Sequence, residues 1–519
     1  MKILIPMAGK GQRFLEAGYT IPKHLITVDD KPIIEHIVNN FSKDDYFIFG
    51  CNEEELKNID IVKLTKKIAP KNQIVSMPYK KGGPIYGLSI MKNHIQDDEP
   101  IIVNYCDFSW VWNYDDFKRK VVESNCDGAI VCYTGFHPHL LGTNKYATVD
   151  ENGLWMKEIR EKYSWHKKNT DDYSSSGTYY FKKGIFIKKY LNELEKRDEL
   201  KMNGELYVSQ LFQFMKEDGL NILIYEIPYM LQWGTPEDLE EYLYWSDYFR
   251  TERKLKDKSQ TYSMNILIPM AGLGQRFTQE GYKLPKPIIE IDKCPMVLLA
   301  TKSLPAGKKY TFIVRDEFIN NYNISKILKD NFPEVQIFST PTVTEGQAST
   351  ALLAKSSINN DTALLIGACD NSLVLNHERF KKLTSNSSKV DALIFTFRKN
   401  PAVNRNPKMY GWVRIDSNQK AINVSVKVPI SSTPINDHAI VGTFWFRKGK
   451  YFVENTEEMI KANDRINNEF YIDNCMNYLI KNGLNVYVFE IDKYICWGTP
   501  NDLKTYEYWS KYFNYYYKN

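Results

Sequence analysis

No stretch of the 519 residues approaches 18 consecutive apolar side chains, so the sequence offers no candidate for a bilayer-spanning helix. The eight cysteines, at 51, 106, 126, 132, 294, 369, 475 and 496, form no Cys-x-x-Cys pair. Thiols scattered in this way imply core residues in a reducing, cytoplasmic setting. An excess of one charge is lacking as well. With 68 Lys plus Arg against 63 Asp plus Glu the net charge is +5, too small for general nucleic-acid binding, so any positive potential must be local. The opening MKILIPMAGKG has one lysine and a short apolar run broken by Pro6 and Gly9, which reads as a first strand, not a signal peptide. Standard phosphate signatures are incomplete. Phe14 stands where a dinucleotide fingerprint would place its third glycine, and no Walker Gly-Lys-Ser/Thr follows.

What the chain does contain is a repeat. MKILIPMAGKGQRFLEAGYTIPKHLITVD at residues 1–29 returns as MNILIPMAGLGQRFTQEGYKLPKPIIEID at residues 264–292. Length alone suggests three or four units, but the repeat gives two of similar size. Hydrophobic packing would preserve the apolar pattern, yet it has no need of Arg13 and Lys23 returning as Arg276 and Lys286. A polyanion site built twice would need them.

The polar segment RTERKLKDKSQTYS, residues 250–263, reads as a linker between units 1–249 and 264–519. Short apolar runs such as Ile3–Ile5, Tyr46–Phe49, Ile101–Val103 and Ala129–Val131 read as buried strands. They alternate with helix-like stretches, Ile33–Phe41 and Asp115–Glu123 among them. That alternation predicts an α/β fold with an open, mostly parallel sheet covered by helices on both faces. Each unit ends alike, WGTPEDLEEYLYWSDYF from Trp233 and WGTPNDLKTYEYWSKYF from Trp497, with Thr235 as N-cap and Pro236 at the first helical position. The stripe Tyr242, Trp245, Phe249 is read as packing.

Gly-x-Gly-x-Arg-Phe, then Gly-Tyr-x-x-Pro-Lys, then a strand running into a lone aspartate resembles the sugar-phosphate nucleotidyltransferases, the nucleoside-diphosphate-sugar pyrophosphorylases, over most of both repeats. The resemblance implies two tandem Rossmann-like, GT-A-like domains. It assigns the triphosphate to Ala8, Gly9 and Gly11 and to Ala271, Gly272 and Gly274. The leaving pyrophosphate goes to Arg13 and Arg276, and the α-phosphate and incoming phosphate to Lys23 and Lys286. Mg²⁺ goes to Asp107 (IIVNYCDFS) and Asp370 (LLIGACDNS). The base would lie along Pro78 and Gly83 in one copy and Pro341 and Gly346 in the other. The first copy departs there, with Lys80 and Lys81 before and Ile85 and Tyr86 after, so the two units are expected to prefer different nucleotides. For the acceptor the resemblance implies Glu161 and Lys162, with Val426 and Lys427 in the second copy, then Gly177 and Gly442, whose Gly-Thr pairs are expected to precede the next strand, Glu205 and Glu469, and Tyr410-Gly411 against Tyr146-Ala147. For Glu205 and Glu469 a capping glutamate at a helix start is the alternative, ranked behind the hydroxyl contact.

Such residue types suffice for the chemistry. A phosphate monoester is already anionic and needs no strong base. The difficulty is bringing it to another phosphate and stabilising the charge that develops, which fixed cations and a metal can do. One departure concerns the metal: a second aspartate expected near the late Gly-Thr is Gln232 in one copy and Cys496 in the other. Neither is a good Mg²⁺ ligand, so the expectation is one carboxylate plus phosphates and water. His137 and His139 lack a third ligand, and a structural role is favoured. The expected partners are thus an NTP and a small phosphorylated substrate, with oligomeric state open. The leading function is a bifunctional nucleotidyltransferase feeding surface-polysaccharide synthesis. A cytidylyltransferase for a polyol, choline or amino-alcohol phosphate is one alternative, and one catalytic plus one regulatory nucleotide-sugar-binding domain is another. A glycosyltransferase would carry an Asp-x-Asp motif that neither Asp107 nor Asp370 belongs to.

Overall fold

The computed structural model describes residues 1–58, 60–79, 82–250, 260–385 and 387–517. Lys80, Lys81 and residues 251–259 of the expected linker lie outside them. The chain divides into two compact units, Met1–Ser246 with the segment from Lys511, and Asp247–Ser510. Arg250 ends a helix that begins at Pro236, and residues 261–263 already belong to the strand Thr261–Pro269. Thr261 and Tyr262 pair with Ala306 and Gly307, so strand pairing claims residues whose polarity had suggested linker.

In the first unit the strand Lys2–Pro6 lies between Tyr46–Asn52 and Ile101–Asn104, parallel to both, with Asn72–Met77 outside. The expected strands and helices are all present, the helices as Ile33–Val38 and Tyr114–Glu123. The sheet is mixed, however, and not mostly parallel. Tyr173–Phe181 runs antiparallel between Ile101–Asn104 and Gly128–Tyr133. The cause is connectivity: this strand enters from the hairpin Ala147–Asn152/Trp155–Glu161, whereas parallel neighbours require a long crossover, usually helical. The second unit repeats the order, with His438–Phe446 antiparallel between Ala363–Ile366 and Ala392–Phe397. Its strand Thr261–Pro269 sends Ile266 and Ile268 into one apolar cluster and Leu267 into another, so both sheet faces are covered.

Each unit closes with the expected helix, Pro236–Arg250 and Pro500–Lys511. The Asp238 backbone N–H donates to Thr235 Oγ1 at 3.1 Å and that of Asp502 to Thr499 Oγ1 at 3.2 Å, reciprocal caps at the helix start. Tyr242, Trp245 and Phe249 are buried, as a packing stripe should be. The helices are tied to the early Asp29 and Asp292 turns. Tyr242 and Ser246 donate to Asp29, and Tyr506 (2.7 Å) and Ser510 (3.2 Å) donate to Asp292. Among the described residues no helix is long and apolar enough to cross a membrane.

Asp292→Ala removes a carboxylate that accepts from two hydroxyls. It is expected to cost about 2 kcal/mol, read as a lower urea midpoint for the transition of the second unit.

Candidate active sites

The first site is built where the strand Lys2–Pro6 ends. Its centre, Ile3 to Ile5, is fully buried, and the chain then turns through Met7–Gly11 into the short helix Gln12–Glu16. Gly11 makes that turn at φ +62, and a Cβ there would sit 3.4 Å from Lys23 Cβ. The glycine turn therefore rests on the stem of the lysine it accompanies in sequence. Lys23 begins a 3₁₀ turn after Pro22, and its Nζ lies 2.9 Å from Asp107 Oδ2. Asp107 comes from the bend between the strands Ile101–Asn104 and Phe108–Val111. Its carbonyl accepts from Trp233 N at 3.1 Å, which ties the aspartate to the closing Trp-Gly-Thr.

The second site repeats this. Gly274 turns at φ +63 with its Cβ position 3.2 Å from Lys286 Cβ, Lys286 Nζ lies 2.5 Å from Asp370 Oδ2, and Trp497 N donates to Asp370 O at 2.8 Å. Burial opposes the charge of both lysines, but the partner carboxylate prevails and lifts each above its ordinary value. Both are therefore charged at neutral pH.

A cavity of about 570 Å³ in the first unit brings together Ala8, Gly9, Gly11, Arg13, Lys23, Pro78, Gly83, Asp107, Lys162 and Glu205. Two expected residues are not on its wall. Glu161 is recessed behind Lys162 and accepts from the Ser209 hydroxyl. Gly177 lies inside the strand Tyr173–Phe181, not before it, at a bulge of φ +95 that Phe108 and Tyr105 crowd. Gly442 likewise lies within the strand His438–Phe446, at φ +87. The second unit has a smaller cavity, about 290 Å³, lined by Arg276, Lys286, Asp370, Tyr410, Gly411, Lys427 and Gly442. Ala271, Gly272, Gly274, Pro341, Gly346 and Glu469 are not on that wall. Gly346 nevertheless docks on the acidic loop: a Cβ there would fall 2.6 Å from Phe470 O, and Ala348 N donates to that oxygen at 3.0 Å. Gly83 meets Leu206 O and Glu205 in the same manner. The base loop and the Glu205 or Glu469 loop thus fix each other.

Sequence reasoning missed Tyr207, Asn144, Lys145 and His24 in the first cavity, and Gln347, Tyr471, Asp473 and Tyr494 in the second. His24 carried a usable signal, since it and Glu55 become Pro287 and Phe318 in the second copy. The two form a buried pair at 3.5 Å behind Lys23. Burial pushes the Glu55 carboxyl up to about 7 and pulls His24 down to about 3, with Lys23 adding to the latter. His137 is buried and neutral, pulled down to about 4, and His139 meets the Tyr133 hydroxyl at 2.9 Å. Among the described residues neither joins a cluster of three or more metal-capable side chains.

Whether Mg²⁺ fits turns on the surroundings of each aspartate. A Cβ at Gly234 would lie 2.9 Å from Asp107 Oδ2 and 3.3 Å from Gln232 Nε2, so the glycine keeps a cradle open beside both side chains. The Gln232 amide oxygen is buried with no hydrogen-bond partner, a hard donor left over at the right place. In the second unit Gly498 leaves the same space beside Asp370 and Cys496. Burial raises the Cys496 thiol well above its usual value; it donates to Asp502 and accepts from Gly498 N, and its soft sulfur is a poor match for Mg²⁺. No group of three or more His, Cys, Asp or Glu gathers among the described residues. The donor set suits a metal held by one carboxylate, joined in the first unit by Gln232, with phosphates and water completing the shell.

Residues 2–248 match the family described as Nucleotidyl transferase, so the first unit carries a nucleotidyl transferase domain. Two curated relatives are UTP–glucose-1-phosphate uridylyltransferases. The one from Haemophilus ducreyi is 54% identical over 39 residues, 8% of this chain and 13% of the relative. The one from Haemophilus influenzae is 38% identical over 72 residues, 14% of this chain and 21% of the relative. The matched segments therefore span a small part of either relative. Among solved structures, a nucleoside-diphosphate-sugar pyrophosphorylase from Vibrio cholerae aligns with 47% of this chain and 99% of its own at 21% identity and a TM-score of 0.38.

Two outcomes are expected from the site geometry. Gly234→Ala displaces the Asp107 carboxylate and should weaken binding of a magnesium nucleoside triphosphate, screened over the common NTPs, by about tenfold or more in calorimetry, while Gly498→Ala, with its looser 3.4 Å approach to Asp370, should cost less. The Glu55 carboxyl is raised in the fold, so the folded state keeps a proton that the unfolded chain has lost, and stability falls as pH rises from the ordinary glutamate value to about 7. Glu55→Gln should therefore raise the melting temperature above pH 7, and the gain should shrink as the pH is lowered through that window.

Proposed function

We propose that both units are nucleotidyltransferases, each moving a nucleoside monophosphate from an NTP to a phosphorylated sugar or similar small phosphate. A phosphate oxygen of the acceptor attacks the α-phosphorus, the bond from that phosphorus to the bridging oxygen of the β-phosphate breaks, and pyrophosphate leaves with that oxygen. The observation that carries this reading is the half-buried Lys–Asp pair on the wall of a cavity in both units, Lys23–Asp107 and Lys286–Asp370, with Arg13 or Arg276 on the same wall.

The lysine draws both reacting phosphates together and offsets their repulsion. The arginine neutralises charge that gathers on the leaving pyrophosphate. Backbone N–H groups of the Gly9–Gly11 and Gly272–Gly274 turns cradle the triphosphate. Mg²⁺, when bound at Asp107 or Asp370, supplies Lewis-acid neutralisation of phosphate oxygens. Lys162 and Lys427 present a second cation to the acceptor phosphate. Both sit at positive φ, 52° and 63°, and their N–H groups donate to Tyr146 O and Tyr410 O at 2.9 and 3.1 Å, so each is aimed by its backbone.

Differences in the walls support different substrates for the two units: Tyr79 and Tyr86 line the first, Gln347 and Tyr494 the second. The proposal is a bifunctional cytoplasmic enzyme whose activated products feed surface-polymer assembly, with sugar phosphates ahead of polyol or amino-alcohol phosphates as acceptors. Lys23→Ala and Lys286→Ala, each made in the full chain, test it with pyrophosphate release over a panel of NTPs and phosphorylated acceptors. Each should remove one activity by about 10²-fold or more and leave the other. Loss of all turnover from one variant and none from the other would leave a single catalytic unit and a binding unit.

A further inference from the structure

The two units place a buried carboxylate beside the acceptor lysine from opposite sides. The same bond fixes the correspondence in each: Ile159 N donates to Gln213 Oε1 at 3.3 Å, and Val424 N donates to Asn477 Oδ1 at 2.8 Å. Two residues along the strand, Glu161 corresponds to Val426. Four residues back along the helix segment, Ser209 corresponds to Asp473. In the first unit the strand supplies the acid and the helix a hydroxyl that donates to it. In the second the strand residue is apolar and the helix supplies the acid.

The cross-strand partner changes in step. Ala147 pairs with Glu161, whereas Gly411 pairs with Val426. A Cβ at residue 411 would lie 2.3 Å from Asp473 Oδ1, so only glycine leaves room for this carboxylate. Asp473 lines the second cavity together with Lys427 and Tyr471, and among the described residues no side chain donates a hydrogen bond to it. Glu161, by contrast, is recessed and already satisfied.

We infer that Asp473 is the acceptor-reading carboxylate of the second unit, accepting a hydroxyl of a polyhydroxylated phosphate monoester whose phosphate meets Lys427. This rests on reading the second unit as a nucleotidyltransferase. The hydrogen bond that the Asp473 carboxylate does receive comes from its own backbone N–H, which leaves acceptor capacity that a substrate hydroxyl can meet. Burial raises its carboxyl to about 6 while Lys427 pulls it down, which leaves it largely ionised at neutral pH and able to accept. Because Lys427 already balances its charge, a neutral hydroxyl suits the position better than a second cation. The geometry therefore favours sugar or polyol phosphates over choline phosphate in this unit.

The test uses the full chain carrying Lys23→Ala, so that turnover belongs to the second unit. Glucose 1-phosphate, galactose 1-phosphate, ribitol 5-phosphate and phosphocholine are offered with each common NTP, and pyrophosphate release is followed. For the best acceptor, Asp473→Asn should raise the acceptor KM by about tenfold while the KM for NTP stays within about twofold. Asp473→Ser should show the same loss, and adding Val426→Glu should recover part of it by returning the acid to the strand side, which a merely structural aspartate would not allow. An unchanged acceptor KM in Asp473→Asn, or equal damage to both KM values, overturns the inference while the transferase reading stands. Preference for phosphocholine overturns it too. No turnover by the Lys23→Ala chain, with turnover retained by Lys286→Ala, removes the transferase reading of this unit and the role of Asp473 with it.

Discussion

Everything in either cavity is arranged around one ion pair. A lysine and an aspartate brought together from distant parts of the sequence hold each other at 2.9 Å in one unit and 2.5 Å in the other. On the transferase reading proposed above, each partner holds the place of a substrate component: the carboxylate that of phosphate, the ammonium that of a metal. The supporting features follow from this. Gly11 and Gly274 let the backbone close over the lysine stem, and Gly234 and Gly498 keep a Cβ away from the carboxylate.

Around that fixed centre the two units vary what a substrate meets. Each variation involves residues that change together. Glu161, Ser209 and Ala147 on one side become Val426, Asp473 and Gly411 on the other, and each exchange is intelligible only with its partners. An alanine at 411 would collide with Asp473, and a second acid at 426 would crowd one carboxylate against another. Behind the lysine, His24 and Glu55 give way to Pro287 and Phe318, so a polar pair in one unit is replaced by apolar side chains in the other. Solubility or folding alone would not require such matched sets.

The centre was legible in the sequence because its residues sit in loops after strands and recur at one spacing. Arg13, Lys23 and Asp107 return 263 residues later as Arg276, Lys286 and Asp370, and the structure gathers each set on one wall. The capping threonines were legible for a local reason, since Thr235 and Asp238, like Thr499 and Asp502, meet within one helical turn. The mixed sheet was not, because strand direction depends on how Tyr173–Phe181 is reached and not on its own residues. Gly177 and Gly442 read as strand-preceding turns because a bulge leaves no sequence mark beyond the glycine.

Asp473 escaped for a sharper reason. The repeat does not keep one spacing to its end. It is 263 at Asp107 and Asp370, 265 at the acceptor strand and 264 at the helix that follows, as the bonds Ile159–Gln213 and Val424–Asn477 show. Comparison along the strand alone therefore finds Val426 where the first unit has a glutamate, and suggests an acceptor pocket without its acid. Only the packed structure sets strand and helix side by side, where the acid has moved to the facing element and the pocket still contains one. A charge missing from a sequence position need not be missing from the site, because a site requires the group at a point in space and is indifferent to which chain segment delivers it.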